Sequence, residues 1–528
     1  MRVTRKMMNS NSVFNINNNK STLDKLNTQM ASQKKYTNPS DDPITAVRSL
    51  RFRSNLSEVS QYLDRNTTDA VSWTESTASA IDTAKELMRS LKAEYTSAAN
   101  GTNEVKDKKI YYENMVHLVN EYFDVGNTAS EDRYLFTGFR TNHTLTFTAE
   151  DFEKREDAKS GGKFAYVDIE EYFEASDIEN YEFTARKGKD GSQGSSGITG
   201  DEITNVKTTD LANVANETDV INVDNAYRMR LSYRNIDDAE YTIEIKKTDG
   251  TTGYLSIKEN ITKDYAISQD DLKGSAAVCY LNIDTGNLIF NKAAQTQLSN
   301  AFSEGSKISI KYNKQNWEVG DAKPEYYFNC VDMGLDGVAG AGKITYEDHQ
   351  QSMNYHVGDS QSIKVNTNAS DVFILDARRD LEEIRSFMEA MENAQSKVDK
   401  INEMKADTNT YQGEDQEKLD YLLAAAEKEL NYASERVDEL LSRGMTKAGE
   451  YFDKVNLAAT DIGTASKRLE LIKNRLTADK TTVNTQTSQN ENVDLSTLAV
   501  DVNEASLLYS AALQVTGKIS QQSLVNYI

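Results

Sequence analysis

The sequence predicts an α+β fold: an elongated antiparallel helical coiled coil or bundle core, built from the N- and C-terminal segments, with a central β-rich insertion. Three observations predict it. Apolar residues recur every seven positions towards both ends of the 528-residue chain. Residues 139–370 are instead rich in glycine and alternate apolar with polar side chains. The chain has only three prolines, so its helical segments meet few breakers.

The first helix carries a short apolar stripe. Ile16, Leu23 and Met30 are spaced by seven residues, and Leu26 lies beside them. An amphipathic helix buries its apolar face against another element, so we expect this stripe to pack on a partner helix.

Two of the three prolines lie in one acidic linker, which consists of Asn38, Pro39, Ser40, Asp41, Asp42 and Pro43. A proline disfavours helical geometry in the residue before it, so we expect Pro39 to end the first helix. Pro43 suits the first turn of the next helix, with Asp42 as its N-cap and Asp41 near the positive end of the helix dipole.

Two interleaved heptad series predict a long second helical segment. One series is Leu56, Leu63, Ala70, Thr77, Ala84 and Leu91, and the other is Val59, Asn66, Trp73, Ala80 and Leu87. The glycine of Asn100-Gly101-Thr102 is expected to end this segment. A further helix carries Tyr112, Val116, Val119 and Phe123.

The middle of the chain is typical of β-hairpins. Tyr241, Ile243 and Ile245 alternate with polar residues before an Asp249-Gly250 turn, and two short apolar arms flank the sequence Thr285-Gly286-Asn287. Ile308, Ile310 and Tyr312 alternate in the same way. We expect one or two small β-rich subdomains.

Heptad patterns return after residue 371. Gly444 interrupts the longest of them, which predicts a kink or a helix boundary there. The last helix is expected to begin after Asp494 as its N-cap. Its apolar stripe, with the two residues that close the sequence, comprises Leu498, Val502, Ala505, Tyr509, Ala512, Ile519, Tyr527 and Ile528.

The order of these zones predicts three domains. Residues 1–37 and 494–528 would pair as an inner helical coiled coil, residues 38–138 and 371–493 would form an outer helical domain, and residues 139–370 would be inserted between its two halves. Residues 1–36 hold seven Lys/Arg and one acid, whereas the last 35 residues hold three acids and one lysine. This complementary charge favours contact between the two ends.

Composition excludes several classes of function. A net charge of −23 argues against a nucleic-acid binder, and no apolar run is long enough for membrane insertion. The N-terminus lacks the apolar core of a secretory signal peptide. Cys279 and Cys330 fit no metal spacing, and the sequence leaves open whether they form a disulfide. No nucleotide-binding or calcium-binding loop pattern is complete, so we expect no enzyme activity and no cofactor or metal site.

Several motifs identify a family resemblance. The segments MRVTRKMM, NPSDDPITA, ANGT, RYLFTG and KISQQSLVNYI resemble the hook-associated protein 3 family, the hook–filament junction proteins of the flagellin-like group. Residues 354–373, NYHVGDSQSIKVNTNASDVF, are similar to the strand pair that leads into the C-terminal helices in this group. The resemblance covers residues 1–138 and 354–528 and leaves the middle zone unidentified.

The resemblance implies a structural component of the bacterial flagellum. Such a protein forms a homo-oligomeric ring within a helical lattice, between hook-associated protein 1 and flagellin, and seeds flagellin assembly. It is extracellular and leaves the cell through the flagellar type III export system, with an export chaperone and no cleaved signal peptide. Its insertion is variable and faces outward, and the proline linker would set the angle between the inner and outer layers.

Two alternatives remain open from the sequence. A filament flagellin would share this architecture, but it typically lacks the NPSDDP element and ends differently from Asn526-Tyr527-Ile528. A surface adhesin would instead use the β-rich insertion to bind a ligand.

Overall fold

The computed structural model describes residues 5–100, 105–157, 164–185, 222–333, 343–347 and 350–525. Helices within these ranges are α1 (Arg5–Ser32), α2 (Pro43–Gln61), α3 (Thr68–Ala98), α4 (Val105–Val125), α5 (Ala149–Asp157), α6 (Gln269–Lys273), α7 (Lys292–Ser303), α8 (Ala369–Val372), α9 (Asp376–Ala406), α10 (Glu414–Glu491) and α11 (Leu495–Val525). A π-helical turn, Tyr62–Thr67, joins α2 to α3.

The strands within the described ranges are β1 (Ala129–Ser130), β2 (Arg133–Tyr134), β3 (Tyr166–Phe173), β4 (Glu179–Ala185), β5 (Asn222–Arg230), β6 (Thr242–Lys246), β7 (Thr252–Ile261), β8 (Cys279–Asn282), β9 (Asn287–Phe290), β10 (Lys307–Lys314), β11 (Asn329–Asp332), β12 (Ile344–Tyr346), β13 (Asn354–Gly358) and β14 (Gln361–Lys364). Helices towards both ends and strands between them make this an α+β fold, as the sequence predicts.

The chain divides into two compact units. The first comprises Met1–Ser72, Tyr355–Ile363 and Ser466–Ile528, and the second comprises Trp73–Asn354 and Lys364–Ala465. In the first unit, α1 packs along α11, and α2 is bonded to the C-terminal end of α10 through Asn490.

The predicted heptad seam of α3 follows the helix for only part of its length. Ala70, Thr77, Ala84 and Leu91 are buried as expected. In the other series, the buried position moves from Leu87 to Met88. A straight α-helix has 3.6 residues per turn, so its buried face drifts away from a strict seven-residue repeat.

The helix α10 passes through Gly444 without a break, so the predicted boundary there was wrong. A Cβ at Gly444 would lie 2.3 Å from Cε1 of the buried Tyr95. The glycine is therefore explained by the close approach of an aromatic ring from α3.

Ten strands of the described residues form one sheet in the second unit. Their order is β12-β11-β3-β10-β6-β7-β8-β9-β5-β4. The predicted hairpins are confirmed: β6 pairs antiparallel with β7 across Asp249-Gly250, and β8 pairs antiparallel with β9 across the turn that contains Gly286. The pair β7–β8 is parallel and joins the two antiparallel halves of the sheet.

A large hydrophobic cluster among the described residues of this unit lies on the sheet. Ile243, Ile308, Ile310 and Leu288 lie in it, together with residues from α7. Trp317 packs edge-on against Tyr233 and Tyr166 at the margin of this core.

Cys279 on β8 and Cys330 on β11 are both buried free thiols, so they form no disulfide. Separately, none of the helices within the described ranges is long and apolar enough to span a lipid bilayer.

Candidate functional site: the terminal helix pair and its hinge

The predicted stripe of α1 lies along its least exposed side. Ile16, Leu23 and Leu26 are half buried, while Met30 remains 37% exposed. The polar residues Ser12 and Asn19 belong to the same half-buried row. An asparagine at a seam position costs packing energy but restricts the register of a coiled coil.

The stripe predicted for α11 occupies the matching positions on the partner helix. Leu498 and Ala505 are buried, and Val502, Tyr509 and Ala512 are half buried. Ile519 belongs to α11, but its side chain lies outside the described residues, as do Tyr527 and Ile528 entirely.

The opposite sides of both helices expose apolar side chains. On α1 these are Met7, Met8, Val13 and Phe14, and on α11 they are Leu495, Val500, Leu507, Leu508, Leu513 and Val515. Single exposed apolar residues are normal, but a helix that is apolar on several faces usually packs against more than one neighbour.

A buried carboxylate links the end of α10 to α2 and to the segment that follows α1. Glu491, the last residue of α10, is 3% exposed in its side chain. Its oxygens accept hydrogen bonds from Lys34 Nζ at 2.8 Å and from Arg53 Nε and Nη2, both at 2.7 Å. The hydrogen bond from Arg53, reinforced by Lys34, lowers the pKa of Glu491 to about 2.

Backbone and amide hydrogen bonds reinforce this hinge. The backbone nitrogen of Lys35 donates to the carbonyl oxygen of Glu491 at 2.8 Å, and that of Val493 donates to Gln33 at 3.2 Å. Asn490 Nδ2 donates to Thr45 O at 3.1 Å and to Ser49 Oγ at 2.8 Å. The ends of α1 and α10 and the starts of α2 and α11 are thus bonded together, and we call this group of contacts the Glu491 hinge.

The proline linker enters α2 through one capping aspartate, and a second aspartate closes the turn before it. Asp42 is the N-cap of α2 and accepts from the Thr45 backbone nitrogen at 3.1 Å, and Pro43 is the first residue of the helix. Asp41 Oδ2 accepts from the Asn38 backbone nitrogen at 2.9 Å. Hydrogen bonds from the Thr45 hydroxyl and backbone N–H lower the pKa of Asp42, and one from the Asn38 backbone N–H lowers the pKa of Asp41.

The expectation that Pro39 ends the first helix was wrong. α1 already ends at Ser32, and Gln33 follows with a left-handed φ of 57°. The backbone of Gln33 to Lys35 leaves the helix to bond with Glu491 and Val493, so the hinge ends α1 before the prolines are reached. Asn38, Pro39 and Ser40 form an exposed turn between the two helices.

Sequence reasoning missed Glu491, Lys34 and Arg53. Lys34 and Arg53 are 457 and 438 positions away from Glu491 in the sequence. No rule based on residue spacing predicts contacts over such separations. The one local signal was that basic residues follow α1 while an acid ends the heptad pattern before Asp494.

Two features of the described ranges bear on metal binding and catalysis. There, no group of three or more His, Cys, Asp or Glu residues could hold a metal ion. A polar cavity of about 400 Å³ lies between α9 and the turn after β8. The five arginines that line it are paired with neighbouring carboxylates, as Arg379 is with Glu382 and Arg385 with Glu389.

Family models match both ends of the chain. The bacterial flagellin N-terminal helical region matches residues 3–141, and the bacterial flagellin C-terminal helical region matches residues 445–528. Both ends of the chain are therefore similar to the terminal helical regions of bacterial flagellins. The stripes of α1 and α11 and the whole Glu491 hinge lie within these matched regions.

Two curated relatives share sequence with part of the chain. Flagellar hook-associated protein 3 of Salmonella typhimurium is 31% identical over 144 residues, which are 27% of this chain and 44% of the relative. The protein of the same name from Escherichia coli is 30% identical over 153 residues, 28% of this chain and 47% of the relative. The chain thus spans less than half the length of these flagellin-like relatives.

Solved structures with flagellar names are also similar. A putative flagellar hook-associated protein from Vibrio parahaemolyticus has 10% identity and a TM-score of 0.33, over 86% of this chain and 100% of that one. FlgL from Xanthomonas campestris has 9% identity and a TM-score of 0.29, over 83% and 99%. The flagellar junction protein FlgL from Legionella pneumophila has 11% identity and a TM-score of 0.26, over 81% and 99%.

Proposed function

We propose that this protein is a structural component of the bacterial flagellum that forms the junction ring between hook and filament. The observation that carries the proposal is the pairing of α1 with α11 inside the regions matched by flagellin models, with apolar side chains left exposed on both helices. Both curated relatives bear the name flagellar hook-associated protein 3, which supports a junction role over that of a filament flagellin.

The helix pair suits a subunit that completes its packing only in an assembly. Its internal seam is thin, because Ala505 and Ala512 on α11 and Ser12 and Asn19 on α1 take places that larger apolar residues fill in a strong coiled coil. Apolar residues on the outer sides stay 45–71% exposed within one chain, so each neighbour that covers them adds stability. We infer that the ring is held by contacts that repeat from subunit to subunit.

The Glu491 hinge would transmit the position of the helix pair to the rest of the subunit. Charge-assisted hydrogen bonds of 2.7–2.8 Å connect Lys34, which follows α1, and Arg53 of α2 to the end of α10. A backbone hydrogen bond from Val493 to Gln33 connects the segment before α11 to the end of α1. We propose that α1 with α11 and α2 with α10 correspond to inner and outer layers of the ring, and that the linker Asn38 to Pro43 sets the angle between them.

The partners follow from the proposed position. Hook-associated protein 1 would lie on one side of the ring and flagellin on the other, and the ring would seed flagellin assembly. The subunit would be an extracellular protein exported by the flagellar type III system with a dedicated chaperone. We propose no catalytic role.

Deletion of the gene followed by electron microscopy tests the proposal. We expect intact hooks without filaments, and flagellin released into the medium. Normal filaments on the deletion strain would refute a junction role. Flagella that lack their main subunit altogether, with no flagellin in the medium, would instead identify the protein as the filament flagellin.

A truncation separates folding from assembly. Residues 523–528 lie outside the second compact unit, so their removal should leave that unit folded. The purified truncated protein should therefore have the same urea midpoint of unfolding as the wild type. The truncated gene should fail to restore swimming to the deletion strain. Restored swimming would show that the end of the chain is dispensable for assembly.

A further inference from the structure

One side of α2 is apolar and cationic and lies open to solvent. Ile44, Val47 and Leu50 recur every three residues along it, and Ile44 and Leu50 are 74% and 67% exposed. Arg48 and Arg51 are exposed on the same side. Residues 43–57 contain three arginines and no acid, in a chain whose net charge is −23. We call this the α2 outer face.

One side of α11 has the same apolar character with the opposite charge. Val500, Leu507 and Leu508 are exposed along it, with Leu507 at 71%. Asp501 and Glu504 are exposed between them, and no cation among the described residues neutralises them. Residues 494–517 contain three acids and no lysine or arginine. We call this the α11 outer face.

We infer that the α11 outer face of one copy docks on the α2 outer face of a second copy. This inference rests on the proposed ring and names the surfaces that build it. Apolar residues on both faces would supply the buried area, and Asp501 and Glu504 would lie against Arg48 and Arg51. A second copy is the occupant favoured by the sequence, because one chain carries both complementary surfaces.

The two surfaces are different, so the contact is heterologous: each copy uses one surface towards one neighbour and the other towards the next. Such a contact repeats around a ring or along a helix. Two copies that each place α11 on the other's α2 would instead form a closed two-fold dimer, which uses both surfaces at once and cannot extend into a ring. In assembled flagella, each subunit should therefore place its α11 outer face on one neighbour and receive the α11 outer face of the other neighbour on its α2 outer face.

Cysteine cross-linking tests the geometry. Leu50→Cys and Leu507→Cys are combined in the full chain, expressed in the deletion strain, and oxidised in isolated flagella. The native Cys279 and Cys330 are left in place because both are buried and unreactive. We expect a ladder of dimers, trimers and higher multimers from the double variant, and no ladder from either single variant or from the wild type.

Charge exchange tests the pairing. Arg48→Glu with Arg51→Glu should reduce the ladder at least about tenfold, and Asp501→Lys with Glu504→Lys should do the same. The four substitutions together should recover it to within about threefold of the unexchanged level. As a matched control, Lys467→Glu with Lys473→Glu, which reverses two exposed charges on α10, should leave the ladder unchanged.

The outcomes separate this inference from the proposed function. Subunits present in isolated flagella that form no ladder would overturn the inference and leave the junction role intact. Dimers from a single-cysteine variant would also overturn it, because they indicate a two-fold contact. A protein absent from isolated flagella would refute the proposed function itself, and the inference with it.

Discussion

Arg228 on β5 and Glu383 on α9 form a buried, two-bonded ion pair. Nη1 of Arg228 donates to Oε1 of Glu383 at 2.8 Å, and Nη2 donates to Oε2 at 2.9 Å. Glu179 on β4 and Arg443 on α10 complete the cluster, with Arg443 donating to both carboxylates at 3.2 Å. The sheet is thereby bonded to α9 and α10, two of the helices that the second unit contains.

Removal of Arg228 should strongly destabilise the second unit. Arg228→Met removes the cation that makes two hydrogen bonds to the buried carboxylate of Glu383. Breaking such a buried ion pair lowers the free energy of unfolding by about 3–5 kcal/mol. Urea unfolding of the full-length protein measures it. Arg385→Met, on the exposed side of α9, removes a solvent-screened pair with Glu389 and should change stability little. Equal effects of the two substitutions would contradict a stabilising role for the buried cluster.

Glu171 should make the protein less stable as the pH rises through neutrality. Burial raises the pKa of Glu171 to about 7, although Ser232 and Tyr312 donate hydrogen bonds to it. A carboxyl whose folded pKa lies above its unfolded value stabilises the fold fully below about pH 4.5 and loses that contribution as the pH rises through about 7, which amounts to about 3 kcal/mol. Urea unfolding of Glu171→Gln and wild type at pH 5 and 8 tests this.

The difference in stability between wild type and Glu171→Gln isolates the contribution of Glu171 from those of the other buried carboxyls. Glu179 and Glu383 have pKa values lowered to about 2, so their contributions change only between about pH 4.5 and 2. The difference between wild type and variant should therefore shrink or change sign between pH 5 and 8. A constant difference across that range would show that Glu171 titrates outside it.

Local chemistry made much of the fold predictable. The N-cap Asp42, the first-turn Pro43 and the turns at Gly250 and Gly286 depend on residues a few positions apart, and sequence rules describe such neighbours well. The stripes on α1 and α11 were predicted from spacing alone, and their role as an assembly seam stays a prediction. Which of them contact a neighbouring subunit remains a prediction, because a single chain does not contain that contact.

Long-range contacts account for what the sequence did not reveal. Arg228 and Glu383 are 155 residues apart, and each is an ordinary charged residue in a chain with 83 acids and 60 Lys/Arg. The Glu491 hinge is hidden in the same way. Gly444 was visible in the sequence, but the helix boundary predicted there was wrong. Helix propensity describes the glycine itself and not the Tyr95 ring that packs against it.

Substitution of that glycine should therefore destabilise the helix it occupies. Gly444→Ala places a Cβ 2.3 Å from Cε1 and 2.8 Å from Cδ1 of Tyr95, and overpacking of this kind costs about 1–3 kcal/mol. Gly463 lies in the same helix with no atom within 4 Å of its added Cβ, so Gly463→Ala should instead stabilise by about 0.5–1 kcal/mol. Urea midpoints of both variants measure the signs. Stabilisation by both would mean that Tyr95 moves aside without cost.

Loss of the carboxylate at the hinge should impair assembly while sparing the second unit. Glu491→Gln removes the charge that Lys34 and Arg53 share, so the backbone amides of Lys35 and Val493 should exchange hydrogen faster, whereas those of β10 should not. Because the pKa of Glu491 is lowered to about 2, the wild-type hinge should stay protected above about pH 4.5 and lose protection as the pH falls towards 2. Hydrogen exchange with mass spectrometry measures both effects, and swimming of the complemented deletion strain measures assembly.

Asp64→Asn breaks the exposed pair with Lys480 in the same unit and serves as the control, with normal exchange and swimming expected. Normal swimming with Glu491→Gln, despite faster exchange at the hinge, would show that the proposed assembly does not depend on a firm connection between α1 and α10.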